Sequence, residues 1–487
     1  AIGLGMALAM RLDGTGGRVF VLLGDSESSE GSVWEAMEAA AFHEVDDLVA
    51  ILDMNRLGQR GPTMHGWNGD LFARRAQAYG WRTIEIDGHD VVSIDAAYAE
   101  AADAAGPTMI VARTEKGHGV SFVADHDGWH GKAMSQEQAA QAIEELGGIR
   151  SLTVTPPSPP DIKPLELGEL RAEPAPVYTD PIPTRKAFGE ALAWLAGHRP
   201  DLVVLDGEVG NSTHTDDFQA VAPERFFEMY IAEQAVVGAQ TGLQVLGKTA
   251  FAATFGAFLT RAFDQMRMGA ISRADLRMCG SHAGVSIGED GPSQMAVEDL
   301  AMFRALHSST VLYPADGTST VKLVAAMCDL PGISYLRTTR EATPVIYGAD
   351  EEFPVGGSKT LRSTDADAAA LVCAGVTVRE SLAAADALAT DGTAVRVIDA
   401  YSVKPIDSAT IRRALEETGL VLVIEDHRIE GGLGDAVLDA LSETGPINGR
   451  VVKLAIRDMP GSGSPEELRA WAGIDAAAIA DRVRQEV

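Results

Sequence analysis

Two stretches of sequence decide the fold: Val19-Phe20-Val21-Leu22-Leu23-Gly24-Asp25-Ser26-Glu27 and, one helix later, Leu48-Val49-Ala50-Ile51-Leu52-Asp53-Met54-Asn55-Arg56-Leu57-Gly58-Gln59. In each, a short apolar run ends in a polar turn, which predicts a β-strand, and Ser28 to Phe42 between them predicts a helix. The two strands of such a unit are parallel, so both turns open on the same edge of the sheet. Doubly wound folds bind their ligands at that edge.

Asp25 and Asn55 stand at these two turns, and Gly24 lies in the first of them. Carboxylate and amide oxygens suit a hard cation such as Mg²⁺, which a phosphorylated ligand would share. The simpler alternative is that Asp25 caps a helix and Asn55 forms a turn. Two such strand ends separated by one helix favour the metal site.

The composition excludes several classes of protein. The chain has 487 residues, enough for about three domains, and 46% of them are hydrophobic. Its formal net charge of -30 argues against nucleic-acid partners, because phosphate backbones would be repelled. No apolar stretch reaches the ~18 residues of a membrane span. The three cysteines have no CxxC spacing, which favours a reducing compartment and a cytoplasmic location: Cys279, Cys328 and Cys373.

The order of strand-like and helix-like segments predicts an α/β protein with three parallel-sheet domains. Strands are expected near 19–25, 48–53, 82–86 and 108–112, then at 202–205, 226–231, 249–254, 276–280, 310–313 and 333–336, and finally at 369–373, 394–398 and 420–424. The predicted domains are 1–150, 184–345 and 355–487. A proline-rich linker is expected at 151–183.

The chain begins with Ala1 rather than Met, inside an apolar, glycine-rich stretch. We expect that a segment precedes it in the whole protein, that the chain is a fragment, or that a separate polypeptide supplies the missing part.

Several segments then identify a family, and they occur in its usual order along the whole chain: Gly24 to Met37, Asn55 to Gln59, Ile231-Ala232-Glu233-Gln234, Thr254 to Phe258, and Ser281-His282-Ala283-Gly284-Val285-Ser286-Ile287-Gly288-Glu289-Asp290-Gly291-Pro292-Ser293-Gln294-Met295. The last segment is the most specific of them. The chain resembles transketolases, particularly the animal type, which depend on thiamine diphosphate.

This resemblance implies a fold, a reaction and an assembly. The fold would be a thiamine-diphosphate-binding fold with a transketolase C-terminal domain. The reaction would transfer a two-carbon ketol (glycolaldehyde) unit from a ketose phosphate to an aldose phosphate, a step of the pentose phosphate pathway. The cofactors would be thiamine diphosphate and Mg²⁺ or Ca²⁺, and the active sites would lie at the subunit interface of a homodimer.

The resemblance also assigns the cofactor site. Asp25, Asn55 and the backbone carbonyl of Leu57 would hold the metal ion against the diphosphate. The residues assigned to the cofactor are Gly24, Ser26, Glu27, Asn55, Lys116, Glu233, Phe255 and Phe258. The family usually has glycine where Ser26 stands. Without the resemblance, Glu233 would be a helix-start carboxylate and the two phenylalanines would be plain core.

The catalytic assignments are Glu233, which would bond the aminopyrimidine ring, and His130 and His282, which would face the substrate. The substrate-binding assignments are Arg185, Ser212, His282, Asp290, Gln294 and Arg340. Arginine suits a sugar phosphate because its planar fork offers paired donors to phosphate oxygens. The alternative for a single arginine in so acidic a chain is a surface salt bridge.

Other functions remain open at this point. The chain could be a non-catalytic, cofactor-binding relative of transketolase, or one subunit of a split enzyme. Within the enzymes, a deoxyxylulose-phosphate synthase is a weaker rival. The third domain contains Ile424-Glu425-Asp426-His427 and a glycine-rich turn at 430–434. Because the family places this domain away from the reacting carbon, no catalytic residue is assigned to it.

Overall fold

The computed structural model describes residues 1–156, 158, 174–443 and 445–487. Within them the chain forms two compact units, residues 1–166 and 167–487. Both units are built on mostly parallel sheets flanked by helices, so the predicted α/β class is confirmed. About half of the predicted linker, residue 157 and residues 159–173, lies outside the described residues.

The first unit contains a parallel sheet and five helices. Its strands are β1 (Val19–Gly24), β2 (Leu48–Met54), β3 (Leu57–Gly58), β4 (Gly61–Pro62), β5 (Arg82–Asp87) and β6 (Thr108–Arg113). Its helices are α1 (Ile2–Leu12), α2 (Gly31–Phe42), α3 (Gly69–Ala78), α4 (Val91–Ala102) and α5 (Gln136–Glu145). All four predicted strands of this region are present, each within two residues of its expected bounds.

The main sheet of this unit has the strand order β1-β2-β6-β5. Strands β1 and β2 are parallel, and Gly24 at the end of β1 is paired with Asp53 near the end of β2. The two polar turns therefore open on one edge of the sheet, as the sequence predicted. This register places the Asp25 and Asn55 turns next to each other.

The second unit is larger. Its strands are β7 (Ile182–Pro183), β8 (Leu202–Asp206), β9 (Phe226–Glu228), β10 (Thr249–Phe255), β11 (Leu276–Ser281), β12 (Thr310–Leu312), β13 (Ile333–Arg337), β14 (Ala342–Thr343), β15 (Lys359–Arg362), β16 (Ala369–Cys373), β17 (Val395–Asp399), β18 (Ser402–Lys404), β19 (Leu420–Arg428) and β20 (Arg450–Ile456). Its helices are α6 (Thr184–Ala196), α7 (Gly210–Thr213), α8 (Asp216–Val221), α9 (Glu233–Val245), α10 (Phe263–Ile271), α11 (Asp299–Ala305), α12 (Gly317–Met327), α13 (Thr377–Thr390), α14 (Ser408–Thr418), α15 (Leu433–Glu443), α16 (Pro465–Ala472) and α17 (Ala476–Glu486).

Two sheets organise this unit. The larger has the order β18-β12-β13-β11-β10-β8-β9 and the smaller has the order β15-β17-β16-β19-β20. Strand β18 belongs by sequence to the predicted third domain, yet it pairs antiparallel with β12 of the second. One continuous buried cluster, from Phe188 to Val483, runs through both regions. The predicted boundary near residue 350 therefore separates two sheets that share a core, and the domain limits stay a prediction.

The predicted strand at 226–231 is too long. Strand β9 ends at Glu228, whose carboxylate accepts a hydrogen bond from the backbone N–H of Tyr230 at 2.8 Å. Tyr230 itself has a φ of 56°, which lies outside the range of a strand. The chain therefore turns before Glu233, and that residue begins α9.

Among the described residues, no helix is both long enough and apolar enough to cross a membrane. The three cysteines are buried and unpaired.

A buried carboxyl group in the second unit links stability to pH. Asp399 is fully buried, and its Oδ2 accepts a hydrogen bond from the Tyr347 hydroxyl at 2.6 Å. Its Oδ1 has no hydrogen-bond partner in the described structure. Burial raises the pKa of Asp399 to about 7, whereas an unfolded aspartate titrates near pH ~4. Between these two pKa values the folded state therefore binds more protons than the unfolded state, and the free energy of unfolding falls as the pH rises through this range.

Asp399→Asn keeps an acceptor for Tyr347 and removes the buried charge. We expect it to raise the melting temperature at pH 8 by more than it does at pH 5, because the carboxyl group of the folded wild type is already protonated at pH 5. Thermal unfolding at the two pH values measures the difference. Asp350→Asn is a matched control, since Asp350 is exposed. Equal shifts at both pH values for Asp399→Asn would contradict the linkage.

Candidate active site

Asp25 is buried at the end of the sheet in the first unit. Its Oδ2 accepts hydrogen bonds from the backbone N–H of Arg56 at 2.8 Å and from the Thr63 hydroxyl at 3.1 Å. Its Oδ1 accepts from the N–H of Ser26 at 2.9 Å. The carboxylate thus joins the two turns that the sequence predicted to be neighbours.

Asn55 is oriented by its neighbours on the same turn. Its Nδ2 donates to Asp53 Oδ2 at 3.0 Å, and its Oδ1 accepts from the N–H of Leu57 at 3.1 Å. Asp53 in turn accepts a hydrogen bond from the Thr114 hydroxyl. By accepting from Nδ2, Asp53 fixes the orientation of the Asn55 amide and hence the position of its oxygen. The sequence analysis did not assign this role to Asp53.

Lys116 brings a positive charge to this turn. Its Nζ donates to the carbonyl of Leu57 and to Nδ1 of His130, each at 3.1 Å. Because a lysine ammonium can only donate, Nδ1 of His130 accepts in this contact. The two residues line a cleft of about 720 Å³, and the other predicted residues at its wall are Gly24, Glu27 and Asn55.

Ser26 departs from the family pattern without strain. Its φ is -70°, in the right-handed helical region, so this position does not require glycine for its backbone conformation. The neighbouring Gly24 donates its N–H to Glu27 Oε2 at 2.5 Å. This contact holds Glu27 at the wall of the cleft.

These residues fit a hard cation and a diphosphate. The predicted ligands offer one buried carboxylate, one amide oxygen and one backbone carbonyl. Each accepts a hydrogen bond, Asp25 from the N–H of Arg56, Asn55 from the N–H of Leu57 and the Leu57 carbonyl from Lys116. The described residues contain no cluster of three or more His, Cys, Asp or Glu side chains that could hold a metal ion. A cation at this edge would therefore complete its shell with oxygens of a bound ligand, as Mg²⁺ does with phosphates.

In the second unit, Glu233 is the first residue of α9 and only 5% exposed. Its Oε1 accepts a hydrogen bond from Arg261 Nη1 at 2.5 Å. The guanidinium of Arg261 also lies 5.0 Å from the ring centre of Phe258. Arg261 was not among the predicted residues, although it follows Phe258 by one helical turn.

Three aromatic rings lie close together, and one of them, Phe258, is the ring that Arg261 contacts. The ring centres of Phe255 and Phe258 are 5.1 Å apart with an interplanar angle of 14°. The ring centre of His282 lies 3.7 Å from that of Phe255, with an interplanar angle of 15°. The predicted ring-binding phenylalanines and a predicted catalytic histidine are thus brought together, which chain spacing alone did not predict.

His282 is held as a neutral side chain in a strained backbone. It is 2% exposed, its φ is 58°, and its Nδ1 lies 3.0 Å from the Ser281 hydroxyl. Burial, and to a lesser extent the positive charges of Arg185 and Arg340, lower the pKa of His282 to about 3. The imidazole therefore stays neutral at every pH at which the protein is expected to work.

The predicted phosphate-binding residues also converge. Arg185 Nη1 donates to the carbonyl of Ser212 at 2.9 Å, and Arg340 Nη1 donates to Asp290 Oδ2 at 3.1 Å. Burial lowers the pKa of Arg185, and the like charge of Arg340 lowers it further. Arg185 Nε is buried and has no hydrogen-bond partner in the described structure. Gln294, half-buried in the same loop as Asp290, donates its backbone N–H to Gly291.

Three family models match the chain consecutively. They are the thiamine diphosphate binding domain of transketolase at residues 13–154, its pyrimidine binding domain at 180–345 and its C-terminal domain at 358–479. The chain belongs to the transketolase family. The family and the fold predicted from the sequence are both confirmed.

Curated relatives agree with this assignment. The chain is 44% identical to the transketolase of Homo sapiens over 496 residues, which cover 99% of this chain and 79% of the human protein. It is equally 44% identical to the transketolase-like protein 2 of Mus musculus, over 100% of this chain and 79% of that protein. Both kinds of relative therefore share most of their length with this transketolase-family chain.

Solved structures show the same fold. The transketolase of Campylobacter jejuni superposes with a TM-score of 0.83 at 20% identity, covering 99% of this chain and 80% of that one. A split-gene transketolase, described as an inactive β4 tetramer, superposes with a TM-score of 0.57 at 36% identity. It covers 63% of this chain and 98% of its own.

Proposed function

We propose that this transketolase-family chain transfers a two-carbon ketol unit from a ketose phosphate to an aldose phosphate. The observation that carries the proposal is the buried His282 ring, which contacts the stacked Phe255 and Phe258 and lies in the field of the positive charges of Arg185 and Arg340. The positive charge of each guanidinium group repels that of the other, and a bound phosphate would offset this repulsion. The unpartnered Nε of Arg185 supplies a further donor for it.

The residues present fit thiamine diphosphate and a divalent cation. Asp25, Asn55 and the Leu57 carbonyl would hold Mg²⁺ or Ca²⁺, and Gly24, Ser26, Glu27 and Lys116 would face the diphosphate. Phe255 and Phe258 would contact the pyrimidine ring, whose nitrogen Glu233 would bond. Thiamine diphosphate, when bound, supplies the nucleophilic carbon for attack on the donor carbonyl and takes up the electron pair released from the C2–C3 bond.

The chain's own side chains would hold and move protons around the sugar. His282 is neutral, so its imidazole can both donate and accept a hydrogen bond. His130 accepts from Lys116 through Nδ1, which leaves its Nε2–H to donate to a substrate oxygen. Asp290 would bond a sugar hydroxyl, although in the free protein it pairs with Arg340.

Turnover of the purified chain tests the proposal. With saturating thiamine diphosphate and Mg²⁺, we expect xylulose 5-phosphate and ribose 5-phosphate to be converted, with product formation followed by a coupled assay. Cofactor binding without turnover would instead favour the alternative, a non-catalytic relative.

Arg340→Ala should chiefly weaken the binding of phosphorylated sugars. Losing one charge-assisted contact to phosphate corresponds to about a ten- to hundredfold rise in KM, with little change in kcat. The same ketose without its phosphate should show no such rise, because Arg340 would have nothing to bind. Steady-state kinetics with both forms of the sugar measure the difference.

Arg267→Ala is the matched control, since it removes an exposed arginine on α10. It should leave both KM values unchanged. An Arg340→Ala variant that loses kcat alone would contradict the phosphate assignment.

We propose further that the chain acts as a cytoplasmic homodimer. Tyr230 and Ile231, immediately before Glu233, are 44% and 71% exposed, which is unusual for an apolar pair beside a predicted catalytic residue. The mass in solution tests the assembly, and a monomer that turns over substrate would count against it. The resemblance of 63% of this chain to a split-gene transketolase supports a companion polypeptide as an additional partner.

A further inference from the structure

The segment Ser281–Met295 follows β11 and carries His282, Asp290 and Gln294; we call it the donor loop. Its backbone turns sharply at the start, where His282 has a φ of 58° and Gly284 a φ of 75°. A left-handed conformation at a non-glycine residue costs free energy, so the surrounding structure must hold it in place. The contacts that hold this turn therefore decide where the His282 ring points.

Part of the support comes from the same sheet region. The N–H of Gly284 donates to the carbonyl of Ala296 at 2.8 Å, and the N–H of Ala296 donates to the carbonyl of His282 at 3.2 Å. The N–H of Ala283 donates to the carbonyl of Thr338 at 3.2 Å. These bonds fix residues 282–284 but leave the N–H of Val285, which begins a 3₁₀ turn at Val285–Asp290, without an intrahelical partner.

Asp426 satisfies that donor from the other sheet. It lies on β19, is fully buried, and its Oδ1 accepts the N–H of Val285 at 2.8 Å. The approach is close because residue 284 is glycine: a Cβ there would lie 1.8 Å from Asp426 Oδ2. Asp426 is therefore fitted directly against the turn that carries His282.

The far side of the donor loop rests on the C-terminal region as well. Gly288 and Gly291 both have a φ of 81°. A Cβ at Gly288 would lie 3.1 Å from the carbonyl of Gly463, and one at Gly291 would lie 2.7 Å from the Ser462 hydroxyl. Asp290 stands between these two glycines. The loop is thus supported on the C-terminal region at both of its bends.

Arg337 holds Asp426 in its place. This arginine is fully buried, and its Nη2 donates to the backbone carbonyls of Asp426 and Ala296, each at 2.8 Å. Its Nε pairs with Asp299 at 2.8 Å. Since the contact to residue 426 uses its backbone carbonyl, a substitution of the Asp426 side chain leaves this anchor intact.

We propose that Asp426 is a positioning residue for the substrate site: its carboxylate holds the donor loop so that His282 and Asp290 face the sugar. The inference rests on the proposed function. It gives the C-terminal region a part in the reaction without assigning it a catalytic residue. Asp426 acts only through the loop, at the Val285 N–H.

The test compares Asp426→Ala with Asp426→Asn in the full chain. Alanine removes the acceptor for Val285, whereas asparagine keeps an oxygen of the same geometry. For Asp426→Ala we expect faster hydrogen–deuterium exchange in peptides covering 282–296 and a rise of about tenfold or more in the KM for xylulose 5-phosphate. The dissociation constant of thiamine diphosphate should not change. Asp426→Asn should restore both exchange and KM.

Lys404→Met is the matched control for loss of packing between the same two regions. Its Nζ donates to the carbonyls of Arg304 and Leu306 and to the Ser309 hydroxyl, at 2.8 to 2.9 Å, and none of these residues belongs to the donor loop. It should lower the melting temperature and leave KM unchanged.

Unchanged exchange of 282–296 in Asp426→Ala would overturn the proposal, and so would a loosened loop with an unchanged KM. Absence of turnover in the wild type would instead count against the proposed function. In that case the exchange experiment alone would still decide whether Asp426 holds the loop.

Discussion

Replacing Glu233 with alanine is expected to lower turnover by about 10²- to 10⁴-fold, the range typical for loss of a positioned proton-transfer group. Glu233 is almost fully buried at the start of α9, and its partner Arg261 also contacts the ring of Phe258. Alanine is a strong helix former and should leave α9 intact. Turnover is measured with saturating thiamine diphosphate and Mg²⁺, and circular dichroism checks the fold.

Arg261→Ala is the informative control for this variant. It removes the same ion pair, which has an N–O distance of 2.5 Å, but keeps the carboxylate. If the carboxylate itself acts on the cofactor ring, Arg261→Ala should retain far more turnover than Glu233→Ala. Equal losses in the two variants would show that only the ion pair matters, and an active Glu233→Ala variant would refute the assignment outright.

Replacing Asp25 with alanine is expected to weaken Mg²⁺-dependent binding of thiamine diphosphate by about a hundredfold or more. Loss of residues that merely orient metal ligands already costs about 10- to 100-fold in affinity, and Asp25 is the predicted carboxylate ligand itself. The variant also loses the acceptor for Arg56 N–H and the Thr63 hydroxyl, so both turns loosen. Isothermal titration with the cofactor, with and without Mg²⁺, measures the effect.

Asp70→Ala serves as the comparison in the same unit, because it removes a carboxylate from the exposed first turn of α3. It should leave cofactor binding unchanged. The competing role for Asp25, that of a helix cap, predicts a lower melting temperature and no dependence of the defect on Mg²⁺. A defect of equal size with and without Mg²⁺ would therefore favour the cap.

Most of the fold could be predicted from local pattern. Apolar runs bounded by polar turns located the core strands, because a buried parallel strand must be apolar along its whole length. The predicted strand at 226–231 was too long for a local reason: Glu228 accepts a hydrogen bond from the N–H of Tyr230, and the chain turns there.

The residue types of the candidate site could be predicted from the sequence, but the contacts between those residues could not. The motifs assigned Asp25, Asn55, Lys116 and the aromatic pair to the cofactor site, and these assignments stay a prediction. They did not reveal that Asp53 orients the Asn55 amide or that Arg261 pairs with Glu233. The contact of Asp53 with Asn55 could have been expected, because side chains two residues apart in an extended chain point to the same side.

By itself the sequence determined the family, the α/β class and the chemical groups available for catalysis, because these depend on residue type and short-range spacing. Tertiary structure alone decided the state of those groups. The neutrality of His282 depends on burial and on two arginines distant in the chain, and the shape of its turn depends on Asp426, more than a hundred residues away. Desolvation and charge–charge interactions act through space, so chain order cannot encode them locally.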